Sequence, residues 1–321
     1  MNKLKWGLIG CGDISKKRVA PGLRDARNSK IISISRSDFS KAMSFAKEFG
    51  AEKWKEDWKD LITDNDINAV YIATPVHLHA KQTVASAESG KHVLCEKSMA
   101  INTTEANRMI DACKANHVKL GIAYYRNLYP AISRIKEIII SGEIGKIVHI
   151  QSNNFENFNR QAGEARYWLL EKAKSGGGPM MDMGCHRIEV FLNIAGQVEN
   201  ITSFNDNIVY NREVEDSSIV YFKFQNGATG LLTSSHAVKE AQDTLEIFGS
   251  KGSIHVPVLN RGTISIISKE GTRTEEYPNH PNVHQPLIEN FIQAVIEDKE
   301  PAVTGERGRE VTKLLDRIYG R

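Results

Sequence analysis

The chain has 321 residues, 40% of them apolar and 25% charged, with a net charge of +3, which is ordinary globular composition and long enough for two domains. No Lys/Arg block of five or more occurs, so the footprint of a nucleic-acid binder is missing, and no apolar stretch is long enough to span a bilayer. Cys11, Cys95, Cys113 and Cys185 make no CxxC pair, and the apolar run after Lys5 leads into glycines and Asp13 rather than reading as a signal peptide, so a cytoplasmic protein is expected.

In chain order, short apolar runs first alternate with helical stretches, which predicts βαβ units and a parallel sheet. Strands are expected at Leu4–Ile9, 31–35, 69–74, 91–95 and 119–123. Between them lie helices at 40–49, stopped by Gly50, and 77–89, stopped by Gly90. Asn102-Thr-Thr-Glu105 reads as a capping box opening a helix at 106–116. The pattern changes after Tyr124. A helix at 130–141 and a strand at 146–154 are followed by a helix at 180–194, and from Ile201 the chain reads mostly as strands. Ser217–Phe224 and 229–236 flank Asn226-Gly227, a hairpin signal, and 245–248, 252–256 and 262–267 continue a largely antiparallel sheet. Helices at Gln285–Ile296 and 306–319 close the chain. The division expected is therefore a dinucleotide-binding domain over 1–123 and a substrate-binding α+β domain over 124–321.

The turn Gly10-Cys11-Gly12-Asp13-Ile14-Ser15 follows a strand and opens a helix, the context a dinucleotide fingerprint requires. Gly10 allows a tight turn, and Gly12 lets backbone approach a pyrophosphate. The helix start supplies free N–H groups to that anion. Ser15 stands at the third glycine position and is small enough for close helix–strand packing. Where a carboxylate usually holds the ribose 2′-hydroxyl, at the end of the second strand, the chain has Ser35-Arg36-Ser37. A guanidinium flanked by hydroxyls suits a 2′-phosphate, so NADP(H) is favoured over NAD(H), with Asp38 keeping NAD(H) open.

Glu96-Lys97 falls just after the fourth strand, where open α/β sheets bind ligands, and a Lys there can stabilise charge on a substrate oxygen. Gly176-Gly177-Gly178 leads into a helix carrying Asp182 and His186, spaced to share one face. Asp182 lies in the first turn, and His186 is the residue type that carries protons near neutrality. Asp182, Cys185 and His186 lack the further Cys or His a zinc site needs, so no metal is expected.

These stretches, with Ala73-Thr74-Pro75, His77 and His79, Cys95-Glu96-Lys97-Ser98, Leu245 to Ile254 and the tail Val303 to Arg309, resemble the glucose–fructose oxidoreductase/inositol dehydrogenase (Gfo/Idh/MocA) family over nearly the whole chain. The resemblance implies an α/β fold: an N-terminal Rossmann domain with a parallel sheet, and a C-terminal α/β domain with a large, open, mostly antiparallel sheet whose face makes homodimers or homotetramers. It implies catalytic roles for Lys97 and His186, with Asp182 binding substrate beside them. Thr74, Pro75, His79 and Glu96 match cofactor-lining positions. Tyr125 and Arg126 match a segment near the substrate, as does the stretch of Arg166 and Trp168. Two departures stand out. Ser98 replaces the usual Pro after the lysine, and a non-proline residue disfavours a cis bond there. Leu169 stands where relatives often carry Arg. The expected activity is hydride transfer between a nicotinamide and a sugar, cyclitol or related polyol or ketone. A nicotinamide-binding sensor, and an enzyme using retained cofactor for internal redox, remain as alternatives. Asn154, Glu156, Asn157, Arg160, Arg166 and Tyr167 are the candidates for substrate specificity.

Overall fold

The computed structural model describes residues 2–321. They divide into two units: residues up to 125 with 280–312, and 126–279 with 313–321. The second unit is thus not the continuous 124–321 stretch expected, because 280–312 return to the first.

The first unit is built on six parallel strands, β1 (Leu4–Ile9), β2 (Ser29–Ser35), β3 (Lys53–Lys55), β4 (Ala69–Ile72), β5 (His92–Cys95) and β6 (Leu120–Ile122), in the order β3-β2-β1-β4-β5-β6. β4 is buried at every residue, as a strand covered on both faces must be. Asp38 caps the helix Phe39–Phe49 through the Lys41 amide, and Gly50 ends it at φ +73°. Asn102 caps Thr103–Ala115 through the Glu105 amide, so that helix starts three residues earlier than the expected 106. β3 and the helix Trp58–Ile62 were not expected: Lys-Trp-Lys is too short to carry a strand period, and β3 owes its pairing to β2. The returning segment packs closely. Thr304 bridges to Gly121, the Ile122 amide donates to the Val303 carbonyl at 3.0 Å, and the Phe291 ring sits 5.8 Å from Trp6.

The second unit carries nine strands, β7 (Ile147–Asn157), β8 (Val198–Asp206), β9 (Ser217–Phe224), β10 (Thr229–Ser235), β11 (Ala237–Asp243), β12 (Leu245–Gly249), β13 (Ser253–Val256), β14 (Thr263–Ser268) and β15 (Gly271–Glu276). Their order is β15-β14-β13-β12-β7-β10-β9-β8, with β11 on β7. β7 and β10 run parallel and the other strand pairs antiparallel. Gly227 turns the β9–β10 hairpin at φ +88°. β11 escaped the sequence reading because its polar run Lys239-Glu240 follows no alternation and its pairing to β7 is bulged. The expected continuous helix at 180–194 is instead a π turn, Met180–Gly184, continued by the α-helix Cys185–Ala195. From Cys185 to Leu192 every residue of that α-helix is buried, a consequence of its position over the apolar face of the sheet, where Phe191 meets Phe222 edge-on at 5.7 Å. Among the described residues, no helix is long and apolar enough to cross a membrane.

Candidate active site

In the first unit the glycine turn leaves β1 at the carboxyl edge of the sheet. Gly10 has φ +93°, and a Cβ there would come within 2.8 Å of the Ala73 backbone, so only glycine fits. At Gly12 a Cβ would meet nothing within 4 Å: the backbone is open where a phosphate is expected. Asp13 and Ile14 are exposed beside it, while Ser15 is buried and donates its hydroxyl to the Gly10 carbonyl at 2.5 Å, closing the turn. Arg36 donates to the Cys11 carbonyl at 2.7 Å, which draws its guanidinium onto the turn. Ser35 is buried and Ser37 exposed. Asp38 is engaged elsewhere, accepting from the Lys41 amide at 3.0 Å and facing the Lys41 ammonium at 2.9 Å. Burial pushes the Cys11 thiol up to about 12 against the pull of Arg36, so it remains a thiol. These residues fit a dinucleotide.

Lys97 follows β5 and is half-buried. Its surroundings are fixed by two buried groups. The Glu96 carboxylate accepts from Tyr71 at 2.7 Å and meets His284 at 3.1 Å, with the Lys97 amide 3.3 Å away. Burial alone would raise the Glu96 pKa, but His284, Tyr71 and Lys97 outweigh it and hold the carboxyl below its usual range. His79, wholly buried, sets one ring nitrogen 2.8 Å from the Thr74 carbonyl and the other 2.9 Å from the Ser98 carbonyl. Burial lowers its pKa, so a neutral ring donates to one of these oxygens at a time. Thr74 also donates to Gln82 at 2.6 Å, and Pro75 follows it half-buried. The Lys97–Ser98 peptide is cis, the isomer that serine was expected to disfavour. Tyr125 lies over His284 with ring centroids 4.6 Å apart.

In the second unit, the glycine triplet is held by Glu215, which accepts from the Gly178 amide at 2.8 Å and from Tyr319 at 2.6 Å. Burial pushes this carboxyl above its ordinary range despite those donors. The π turn that follows carries Asp182, and His186, 5% exposed, lies on the α-helix that continues it. The Asp182 carboxylate meets Arg166 at 3.2 Å and stands 3.6 Å from His236. Arg166, at φ +69°, lies over the Phe158 ring at 4.5 Å. Trp168 packs half-buried on the cluster of Phe158, Leu169, Leu170 and Val214, and Arg126 is buried. Leu169 thus serves the core. His236, Arg212, Glu215 and His284 escaped the sequence reading: each reaches its partners from a distant part of the chain and carries no local motif.

Two family models match the chain. One, described as the oxidoreductase family with an NAD-binding Rossmann fold, covers residues 4–124, and the other, the GFO/IDH/MocA C-terminal domain, covers 132–255. Oxidoreductase P35 of Formosa agariphila is 30% identical over 99% of this chain and 99% of its own length. The chain belongs to the Gfo/Idh/MocA oxidoreductase family. Within this family, 1,5-anhydro-D-fructose reductase of Ensifer adhaerens is 27% identical over 95% of this chain and 92% of its own. A levoglucosan dehydrogenase solved in complex with NADH superimposes with a TM-score of 0.89 at 25% identity, over 99% of this chain and 96% of that one.

Proposed function

We propose that this family member transfers a hydride between a nicotinamide cofactor and a sugar, cyclitol or related polyol or ketone, with NADP(H) preferred. The observation that carries the reading is the placement of the glycine turn after β1 and of Lys97 after β5 at the same carboxyl edge of one parallel sheet, where such sheets take their ligands. The turn from Gly10 to Ser15, with Arg36 and its neighbours Ser35 and Ser37, would hold the dinucleotide. Arg36 at the end of β2, with Asp38 spent on a helix cap, supports a 2′-phosphate over a bare ribose. When bound, the nicotinamide supplies the hydride chemistry.

The chain's own residues handle the oxygen and its proton. Lys97 would donate to the substrate oxygen and stabilise negative charge on it. His186 would take the hydroxyl proton during oxidation and return it during reduction. Asp182, fixed by Arg166, would bind substrate beside it. The names of the reductase and the levoglucosan dehydrogenase support a carbohydrate-like substrate. Four buried free cysteines suit a reducing cytoplasm, and the outer face of β8 and β9 suits a homo-oligomer.

The test is turnover of a polyol and ketose panel with NADP+/NADPH and NAD+/NADH, repeated with Lys97→Met and His186→Asn. Loss of about 10²-fold or more in kcat for each variant is expected for acid–base and electrostatic groups. Near-full turnover by either variant would overturn the role of the residue replaced. Nucleotide binding without turnover of any substrate would favour a sensor.

A further inference from the structure

The turn that carries Asp182 opens with backbone amides that lie ahead of any helical carbonyl. Two distant side chains meet them. Gly178 donates to Glu215 Oε2 at 2.8 Å, Met180 to Oε1 of the same carboxylate at 3.4 Å, and Met181 to the Tyr319 hydroxyl oxygen at 3.1 Å. Pro179, between them, has no amide hydrogen. The Asp182 amide then finds the Gly178 carbonyl at 2.9 Å, and the helix runs on. Tyr319 passes its one hydrogen to Glu215 Oε1 at 2.6 Å, which leaves a lone pair of its oxygen for Met181. Burial beside that carboxylate keeps the phenol protonated far above its ordinary range.

The glycine triplet is what lets these two residues come so close. A Cβ on Gly177 would run into the Tyr319 ring, and one on Gly178 would strike the Glu215 carbonyl. The Gly176 carbonyl accepts from the Arg321 guanidinium, which lies over the Tyr319 ring at 4.8 Å. Each glycine thus meets a residue from position 215, 319 or 321. With the Gly178 and Met180 amides occupied by a protein carboxylate, this helix start is not an anion site, and the triplet serves the placement of the turn.

We propose that Tyr319 is a positioning residue for the reaction: through the Met181 amide it sets where the next residue, Asp182, and His186 beyond it are held. This rests on the oxidoreductase reading, which gives those two residues their roles. Without the hydroxyl the Met181 amide loses that acceptor, and the turn shifts to replace it. A misplacement of about 1 Å is enough to cost about 10²-fold in rate. Glu215 acts one step further back, by fixing the direction of the hydroxyl.

The test is Tyr319→Phe, which keeps the ring against Gly177 and removes only the oxygen, beside Ile264→Val, a buried change on β14. Three quantities are measured below both melting temperatures: kcat on a polyol or ketose the wild type turns over, affinity for NADPH and NADH, and the ring signals of isotope-labelled histidine. His186→Asn assigns the His186 signal. Tyr319→Phe is expected to lower kcat by about 10- to 100-fold and to move the His186 signal. Its nucleotide affinity is expected to change by less than about twofold, since the glycine turn lies in the first unit. Ile264→Val is expected to lower the melting temperature and leave all three unchanged. An unchanged kcat or an unmoved His186 signal in Tyr319→Phe would make Tyr319 merely structural and overturn the proposal. Nucleotide affinity falling as far as kcat, or Ile264→Val matching Tyr319→Phe, would also overturn it. If the wild type turns over no polyol or ketose, the oxidoreductase reading falls and the histidine signal alone decides. A shift then leaves Tyr319 as the residue that places His186, and no shift removes it.

Discussion

The carboxylate of Glu96 and the imidazole of His284 meet at 3.1 Å across 188 positions of sequence, both of them buried. His284→Ala leaves that carboxylate with a lost partner in the interior, and a loss of about 3–5 kcal/mol is expected from urea unfolding. The pair also fixes a pH dependence. The Glu96 carboxyl is held below its ordinary value, so its contribution is present above the unfolded-state pKa of about 4.3 and disappears as pH falls through the lower folded value. Glu96→Gln is expected to flatten the acid limb of the stability profile below about pH 4.3. An unchanged acid limb would show that other carboxylates govern it.

Arg36→Ala is expected to weaken NADPH by about 10- to 100-fold, since it removes charge-assisted hydrogen bonds to a phosphate. NADH is expected to change by less than about threefold, because Arg36 would meet no charge there. Fluorescence titration of both nucleotides measures this, and equal changes would return the preference to NAD(H).

Tyr319→Phe removes the donor to Glu215 and the acceptor of the Met181 amide, at 2.6 Å and 3.1 Å. A cost of about 1–3 kcal/mol is expected for leaving buried groups unmatched. Gly178→Ala is expected to cost more, because its Cβ would enter the space of the Glu215 carbonyl. Thermal melts of the two variants test the order; a milder alanine variant would mean that the loop shifts freely.

On the outer face of the second sheet, Phe204 pairs with Ile219 and Thr202 with Tyr221. Phe204 is 71% exposed, Tyr221 47% and Ile219 38%, which puts three large apolar side chains on neighbouring strands of one face. Phe204→Glu combined with Tyr221→Lys is expected to reduce a homo-oligomer to monomer in light scattering. A wild type already monomeric would remove this face as an interface.

Much of the first unit was legible because its signals are local. Gly10 to Ser15 lies between a strand and a helix, and Gly50 and Asn102 punctuate helices at their own positions. The second unit was legible as a sheet wherever alternation was clean, as in β9, and opaque at β11, whose pairing comes from β7. Lys97, Asp182 and His186 were readable as residues. Their supports were not, since Glu96 needs an imidazole from position 284 and His236 a guanidinium from position 212. Such pairs exist only after the chain has folded back.

The return of residues 280–312 to the first unit also sets an order of events during synthesis. Domains usually fold as they leave the ribosome, amino-terminal first. Here the strand carrying Gly121 waits for Thr304, and Glu96 waits for His284, until nearly all the chain has been translated. A nascent chain ending near residue 125 holds the glycine turn but neither closing partner, so the first unit is completed only once residues 280–312 have been made.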